Sequence, residues 1–223
     1  YNMDTQLEVD SVMKMYGETT ILADVYLSCV PGDIIGLFGR NGTGKSTLLR
    51  IIFGSLKGDR SCIRINGKIQ KKAAYRSGLL GFLPQEGYLP NNLSLAECVE
   101  LLLGKEYRKD FFADKHLFRI RKSKVSEMSG GEKRYAEIKL ILWGKAPFIL
   151  LDEPFQGLSP IVSESIREHI KIASQSKGII LTDHNFREVH KCVNRIMLLN
   201  DWYLKELREP NDLIPFEYYE NKR

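Results

Sequence analysis

The segment Gly39-Arg40-Asn41-Gly42-Thr43-Gly44-Lys45-Ser46 constrains the fold of this chain more than any other part of it. It follows Ile34-Ile35-Gly36-Leu37-Phe38, a short unbroken apolar run of the kind found in strands buried on both faces, and it opens a helical stretch from Ser46 to Phe53. A strand, a glycine-rich loop and a helix in that order make a cradle for phosphate. Glycines let consecutive backbone N–H groups turn towards one anion, and the helix adds the positive end of its dipole. Lys45 is then placed to neutralise β- and γ-phosphates, and the Ser46 hydroxyl to ligate Mg²⁺. Gly39, Asn41, Gly42, Thr43, Gly44, Lys45, Ser46 and Thr47 are therefore the candidate triphosphate-binding residues. A glycine-rich turn without function is the competing reading, and the flanking strand and helix argue against it. The class stays open at this point, because GTPases, kinases, helicases and transport ATPases all use such a loop.

The remaining apolar runs predict the sheet that a phosphate loop needs. Phe148 to Leu151, Gly178 to Thr182 and Arg195 to Leu199 read as buried strands, and Val162, Ile166, Ile170 and Ala173 recur between them at helical spacing. This alternation predicts an α/β fold, a mostly parallel sheet flanked by helices. Nearer the N-terminus, Leu7, Val9 and Val12 and the run from Ile21 to Val30 are separated by Gly17 and closed by Pro31-Gly32, which predicts an antiparallel β subdomain. The stretch 88–124 shows no buried strand and a helix-leaning Leu93 to Leu103, so an inserted helical subdomain is expected. One domain is predicted over 3–223, with 3–87 and 145–223 forming the nucleotide-binding core and its β subdomain, and 88–144 the helical subdomain.

Two further segments carry chemistry. Asp152 and Glu153 end the apolar strand Phe148-Ile149-Leu150-Leu151, at the carboxyl edge where open α/β sheets bind ligands. Asp152 is placed to hold Mg²⁺ and Glu153 to polarise a water towards a γ-phosphate; solvated acids at a strand end are the bland alternative. Met128-Ser129-Gly130-Gly131-Glu132 supports two readings of one geometry. Ser129 and Glu132 make a capping box, and an unobstructed Gly-Gly at a helix N-terminus makes a second anion site.

Composition narrows the setting. With 43% hydrophobic and 27% charged residues the chain is an ordinary globule. No apolar run approaches the roughly 18 residues of a membrane span, and YNMDTQLEVD lacks the regions of a signal peptide, so a cytoplasmic chain is expected. Cys29, Cys62, Cys98 and Cys192 are scattered singly, without the spacing of a zinc or redox site. The net charge of +5 is too small to indicate nucleic acid, and none is expected as a partner. The local run Lys115, Arg119, Arg121, Lys122 and Lys124 is either a solvated face or a docking surface for acidic protein or lipid.

The order of these motifs carries a resemblance. MSGGE, lying between the phosphate loop and the Asp152-Glu153 strand end, resembles the signature of ATP-binding subunits of ABC transporters. The likeness extends over nearly the whole chain: Gln85 in Phe82-Leu83-Pro84-Gln85 resembles the Q-loop glutamine, His184 in Thr182-Asp183-His184 the switch histidine, and Tyr16 the aromatic residue that stacks on adenine. DEPFQG and TDHNFRE are similar to segments of the ATPases of lipopolysaccharide export and branched-chain amino-acid import. SGGEKR is similar to the soluble ATPase of iron–sulfur cluster assembly.

The resemblance implies ATP and Mg²⁺ as ligands and a head-to-tail dimer with a second ATP-binding subunit. Each ATP is then held by one subunit's phosphate loop and the other's Ser129, Gly130 and Gly131. Lys45, Gln85, Glu153 and His184 are the implied catalytic residues, and Ser46, Gln85 and Asp152 the implied Mg²⁺ ligands. Separate transmembrane permease subunits are the implied partners, which puts the chain on the cytoplasmic face of the inner membrane. A soluble ABC ATPase coupled to a protein scaffold is the alternative. One departure stands out: Ser159 occupies the position where the family's D-loop usually has Asp, although Ser159-Pro160 makes a good helix start.

Overall fold

The computed structural model describes residues 5–183 and 186–207. A long hairpin opens the fold: β1 (Leu7–Tyr16) and β2 (Thr19–Cys29) pair antiparallel, and β1 also pairs with β4 (Arg60–Ile65), which turns back into β5 (Lys68–Ile69). This four-stranded sheet has the order β2-β1-β4-β5. Its β4–β5 turn is Asn66-Gly67, both at positive φ, the backbone that a two-residue hairpin of matching twist requires.

The second sheet holds the four predicted buried strands and two that the apolar runs did not mark, Leu80–Leu83 and Tyr203–Leu207. β3 (Ile34–Phe38), β6 (Leu80–Leu83), β7 (Phe148–Asp152), β8 (Gly178–Thr182), β9 (Arg195–Asn200) and β10 (Tyr203–Leu207) lie in the order β10-β9-β3-β8-β7-β6. All neighbours are parallel except the edge pair β9–β10. The strand ending in Asp152 is thus parallel to β3 and one strand away from it, with β8 between.

Alternation along β3, β7, β8 and β9 explains why their sequences are apolar between their ends. Ile34, Phe38, Ile149, Leu151, Ile179, Leu181, Ile196 and Leu198 point into one core, and Ile35, Leu37, Phe148, Leu150, Ile180, Met197 and Leu199 into another. Period-two side chains with both faces covered leave no position for a polar residue. The second core is closed by Leu48, Leu49 and Ile52 of α1 (Lys45–Phe53) and by the β1–β2 hairpin. The first is closed by α5 (Gly130–Trp143) and α6 (Pro160–Ser174), through Ala136, Ile138, Ile166 and Ile170.

The stretch before α5 is helical, as expected: α2 (Leu95–Leu102), α3 (Arg108–Phe111) and α4 (Lys115–Ile120). Their apolar residues Leu95, Val99, Phe111 and Leu117 join the same core as β7 and α6. α2 starts at a capping box, with the Ser94 hydroxyl accepting from Glu97 N and the Glu97 carboxylate from Ser94 N. A short helix, α7 (Phe186–His190), precedes β9. Because β3, β6, β7, β8 and β9 are parallel, their carboxyl ends share one edge, and there the phosphate loop, Gln85, Asp152 and Glu153 meet.

Candidate nucleotide site

The phosphate loop leaves β3 at Gly39 and enters α1 at Lys45, with Gly44 as the residue before the helix. Gly44 has φ of 103°, and a Cβ there would lie 2.6 Å from Ile21 Cγ2; at Gly39 a Cβ would lie 2.7 Å from the Leu199 carbonyl oxygen. Both glycines are required by close approach, one to the β1–β2 hairpin and one to β9. The loop is thus seated against fixed elements on two sides. Lys45 folds back over it, donating to the carbonyls of Gly39 (2.5 Å) and Arg40 (3.0 Å). Burial pulls the Lys45 ammonium below the ordinary amine range, opposed by the charges of Glu153 and Asp152.

Ser46, at the start of α1, donates to Asp152 Oδ1 at 2.9 Å, and Thr182 at the end of β8 donates to the same oxygen at 2.8 Å. Asp152 is fully buried, and its Oδ2 has no hydrogen-bond partner among the described residues. A buried carboxylate oxygen without a partner is costly, and a divalent cation beside the Ser46 hydroxyl would satisfy it. Among the described residues no cluster of three His, Cys, Asp or Glu could hold a metal by itself. The Ser46 hydroxyl and the Asp152 carboxylate suit Mg²⁺ arriving with phosphate oxygens, since that ion takes one or two protein ligands and completes its shell from substrate and water.

Glu153 follows at φ 51°, a left-handed conformation costing about 1–3 kcal/mol for a residue with a side chain. The Glu153 N–H donates to Thr182 O at 2.8 Å, and the Glu153 carboxylate accepts from Gln85 Nε2 at 2.9 Å. The structure so brings together Lys45, Ser46, Gln85, Asp152 and Glu153, from two strand ends and one helix. His184 lies outside the described residues. Tyr16 ends β1, half exposed, with Lys14 Nζ 5.1 Å from its ring centre.

Ser129 caps α5 as one of the two sequence readings expects: its hydroxyl accepts from Glu132 N, and the Glu132 carboxylate accepts from Ser129 N at 2.9 Å. Gly130 and Gly131 need another explanation. Both are helical; among the described residues a Cβ on Gly130 would meet nothing within 4 Å, and one on Gly131 only Leu158 Cδ2 at 3.8 Å. Neither backbone angle nor packing calls for glycine, yet each lowers helix stability relative to alanine. Among the described residues Ser129, Gly130 and Gly131 make no hydrogen bond or ion pair with the phosphate loop of their own chain. Ser159 caps α6 by accepting from Val162 N, with Pro160 first in the helix.

Sequence reasoning missed Thr182 as a partner of Asp152, and it missed two residues of α5. Arg134 and Glu137 are almost fully buried. Arg134 donates to backbone carbonyls at the ends of β6 and β7, and Glu137 accepts from Tyr88 N at 2.9 Å. The sequence signal was an Arg and a Glu spaced i, i+3 in a helix, which reads equally well as a solvent-facing pair.

A phosphate-binding loop between a parallel strand and its helix, faced by a carboxylate pair at a nearby strand end, defines a P-loop nucleoside triphosphatase. Comparison with known proteins narrows the class. A sequence model of the ABC transporter family matches residues 22–156. The chain is 30% identical over 95% of its length to the lipopolysaccharide export system ATP-binding protein LptB of Acidithiobacillus ferridurans, covering 93% of that protein. An ATP-binding subunit of an ABC transporter superposes on it with a TM-score of 0.82 at 24% identity, over 97% of this chain and 95% of that one. A dimeric bacterial ABC transporter cassette does so with a TM-score of 0.78 at 25% identity, over 91% and 99%. This chain belongs to the ABC transporter family, and its activity is the ATP hydrolysis of that family's ATP-binding domain.

Proposed function

We propose that this chain closes on a second ATP-binding subunit when ATP is bound, opens after hydrolysis, and so powers transport through separate transmembrane permease subunits. The observation that carries the reading is Gly130 and Gly131, two helical glycines at an exposed helix N-terminus that no contact or backbone angle among the described residues requires. They suit the phosphate of an ATP held by another subunit, and an identical second copy is the simplest partner. The dimeric state of the superposed bacterial cassette supports the same arrangement.

In this reading Gly39 to Thr47 wrap the triphosphate and Lys45 exchanges its loop carbonyls for β- and γ-phosphate oxygens. Ser46, Asp152 and Gln85 would hold Mg²⁺, which, bound with ATP, neutralises charge on those oxygens. Glu153 orients and deprotonates the water that attacks the γ-phosphorus while the bond to the ADP oxygen breaks. Gln85, hydrogen-bonded to Glu153, fixes the direction of that carboxylate. Tyr16 stacks on adenine, and His184 donates to the γ-phosphate. Residues 3–223 work as one domain, with 88–144 as the helical part that moves against the core and carries Ser129.

Among the described residues no helix is long and apolar enough to cross a membrane. Attachment to the cytoplasmic face of the inner membrane is therefore assigned to the permease partners. The test is Glu153→Gln, which is expected to retain ATP without turning it over; parental turnover would reject the role of Glu153. Copurification of the parent from its native cell with a polytopic membrane protein is expected, and recovery with a soluble scaffold alone would replace the transport reading.

A further inference from the structure

We propose that Arg134 is a positioning residue for hydrolysis, holding the backbone that carries Glu153 and Gln85 in register with the signature helix. This rests on the role of Glu153 given above and extends it. The Arg134 guanidinium bridges three carbonyls at the catalytic sheet edge: Nη1 donates to Pro84 O at 2.7 Å, and Nη2 to Asp152 O and, at 3.0 Å, to Glu153 O. Pro84 immediately precedes Gln85, and Asp152 and Glu153 are the carboxylate pair, so one side chain grips both segments whose side chains meet in the Gln85–Glu153 hydrogen bond. Glu153 holds a left-handed φ of 51°, and a residue in that region persists only where its surroundings fix it. Arg134 and the bond from Glu153 N to Thr182 O fix it from two sides.

The grip extends along α5. Glu137, one turn on from Arg134 and 3.8 Å from its guanidinium, accepts from Tyr88 N at 2.9 Å and Leu89 N at 3.3 Å, while Tyr88 OH donates to Glu137 O. The segment containing Gln85 is thus tied to α5 before and after the glutamine. Gly87 accommodates this tie, since a Cβ there would lie 2.5 Å from Glu137 Oε1. Arg134 stands only about 7 Å along the helix axis from Ser129. Displacement of the helix end that meets the partner's nucleotide is therefore felt at Glu153 of the same chain. A planar fork with several donors suits three fixed carbonyls, and an ammonium on a flexible stem does not. Among the described residues Arg134 makes no hydrogen bond or ion pair with the phosphate loop and reaches the Gln85 and Asp152 segments only through backbone carbonyls, so ATP affinity is expected to stay with the loop.

The experiment compares steady-state ATP hydrolysis, fluorescent ATP-analogue binding and thermal midpoint for the full chain, Arg134→Lys, Arg134→Gln and Glu153→Gln. Expected for Arg134→Lys is a folded protein with parental nucleotide affinity and KM, and kcat reduced about ten- to a hundredfold, the effect of a small misplacement of a reacting group. Arg134→Gln is expected to fall further, with the lysine variant restoring part of its loss. Parental kcat in a folded Arg134 variant overturns the proposal, as does a parallel loss of ATP affinity or a failure of both variants to fold, which would make Arg134 a fold-holding residue only. Glu153→Gln separates the two claims: if it turns over normally the catalytic reading fails, and if it is inactive while Arg134→Lys is normal only the positioning role fails.

Discussion

Replacing Gly131 by alanine separates what the fold needs from what the site needs. Among the described residues the new methyl group would meet only Leu158 Cδ2, at an ordinary contact distance of 3.8 Å, and the backbone there is helical. Glycine-to-alanine changes at compatible sites stabilise by about 0.4–1 kcal/mol, chiefly by restricting the unfolded chain. For a chain of this length that corresponds to a thermal midpoint raised by about 1–4 °C. Because Cβ atoms tilt towards the N-terminus of their helix, the same methyl projects towards the open end of α5, where in the proposed dimer the partner's ATP approaches the backbone N–H groups. Losing that close approach removes hydrogen bonds to developing phosphate charge, and kcat is expected to fall about a hundredfold or more. The assay is a thermal melt without nucleotide alongside steady-state phosphate release on the same preparation. A variant that melts higher and hydrolyses ATP poorly supports the reasoning. Parental hydrolysis by Gly131→Ala, or a lowered melting point, refutes it.

Two further predictions follow from buried charge. Lys45→Ala removes the cation that bonds Gly39 O and Arg40 O, and should weaken ATP binding by about ten- to a hundredfold, as loss of a charge-assisted hydrogen bond does, while the melt without nucleotide shifts little; unchanged ATP affinity in a titration would contradict it. His169 on α6 lies 3.1 Å from Tyr135 OH, and burial, together with Lys139, holds it below its ordinary value of 6.5 against the pull of Asp114. A lowered histidine pKa means the unfolded chain binds more protons as pH falls through 6.5 towards the lower folded value. Stability is therefore full above 6.5 and declines below it. Urea melts at about pH 7.5 and 5.5 should show a loss in the parent that His169→Gln lacks, and equal losses in both would count against this assignment.

The parallel sheet was legible because its strands are buried on both faces and so are apolar throughout, as Phe148-Ile149-Leu150-Leu151 is. The phosphate loop, the Asp152-Glu153 strand end and the Ser129 cap were legible because each depends on residues next to one another in sequence. β4 and β10 are not legible as strands because charged residues break the apolar run, the exposed Arg60 and half-buried Arg64 in one and the exposed Lys205 and Glu206 in the other. The Asn66-Gly67 turn marked the end of β4 and went unused. Arg134 and Glu137 were hidden for a different reason. Their burial is set by the carbonyls and amides of residues 84–89 and 152–153, which only the fold brings beside α5, and no local pattern distinguishes such a pair from a solvated one. Likewise Thr182 reads as the end of a strand until β8 is seen to lie beside β7.

The central claim, that one subunit's phosphate loop and another's Ser129 to Gly131 share an ATP, is tested most directly by the mass in solution of Glu153→Gln. Light scattering is expected to give a dimer with ATP and a monomer with ADP, and adding Gly131→Ala to the same chain should return the ATP form to monomer. A Glu153→Gln chain that binds ATP and stays monomeric would contradict the account.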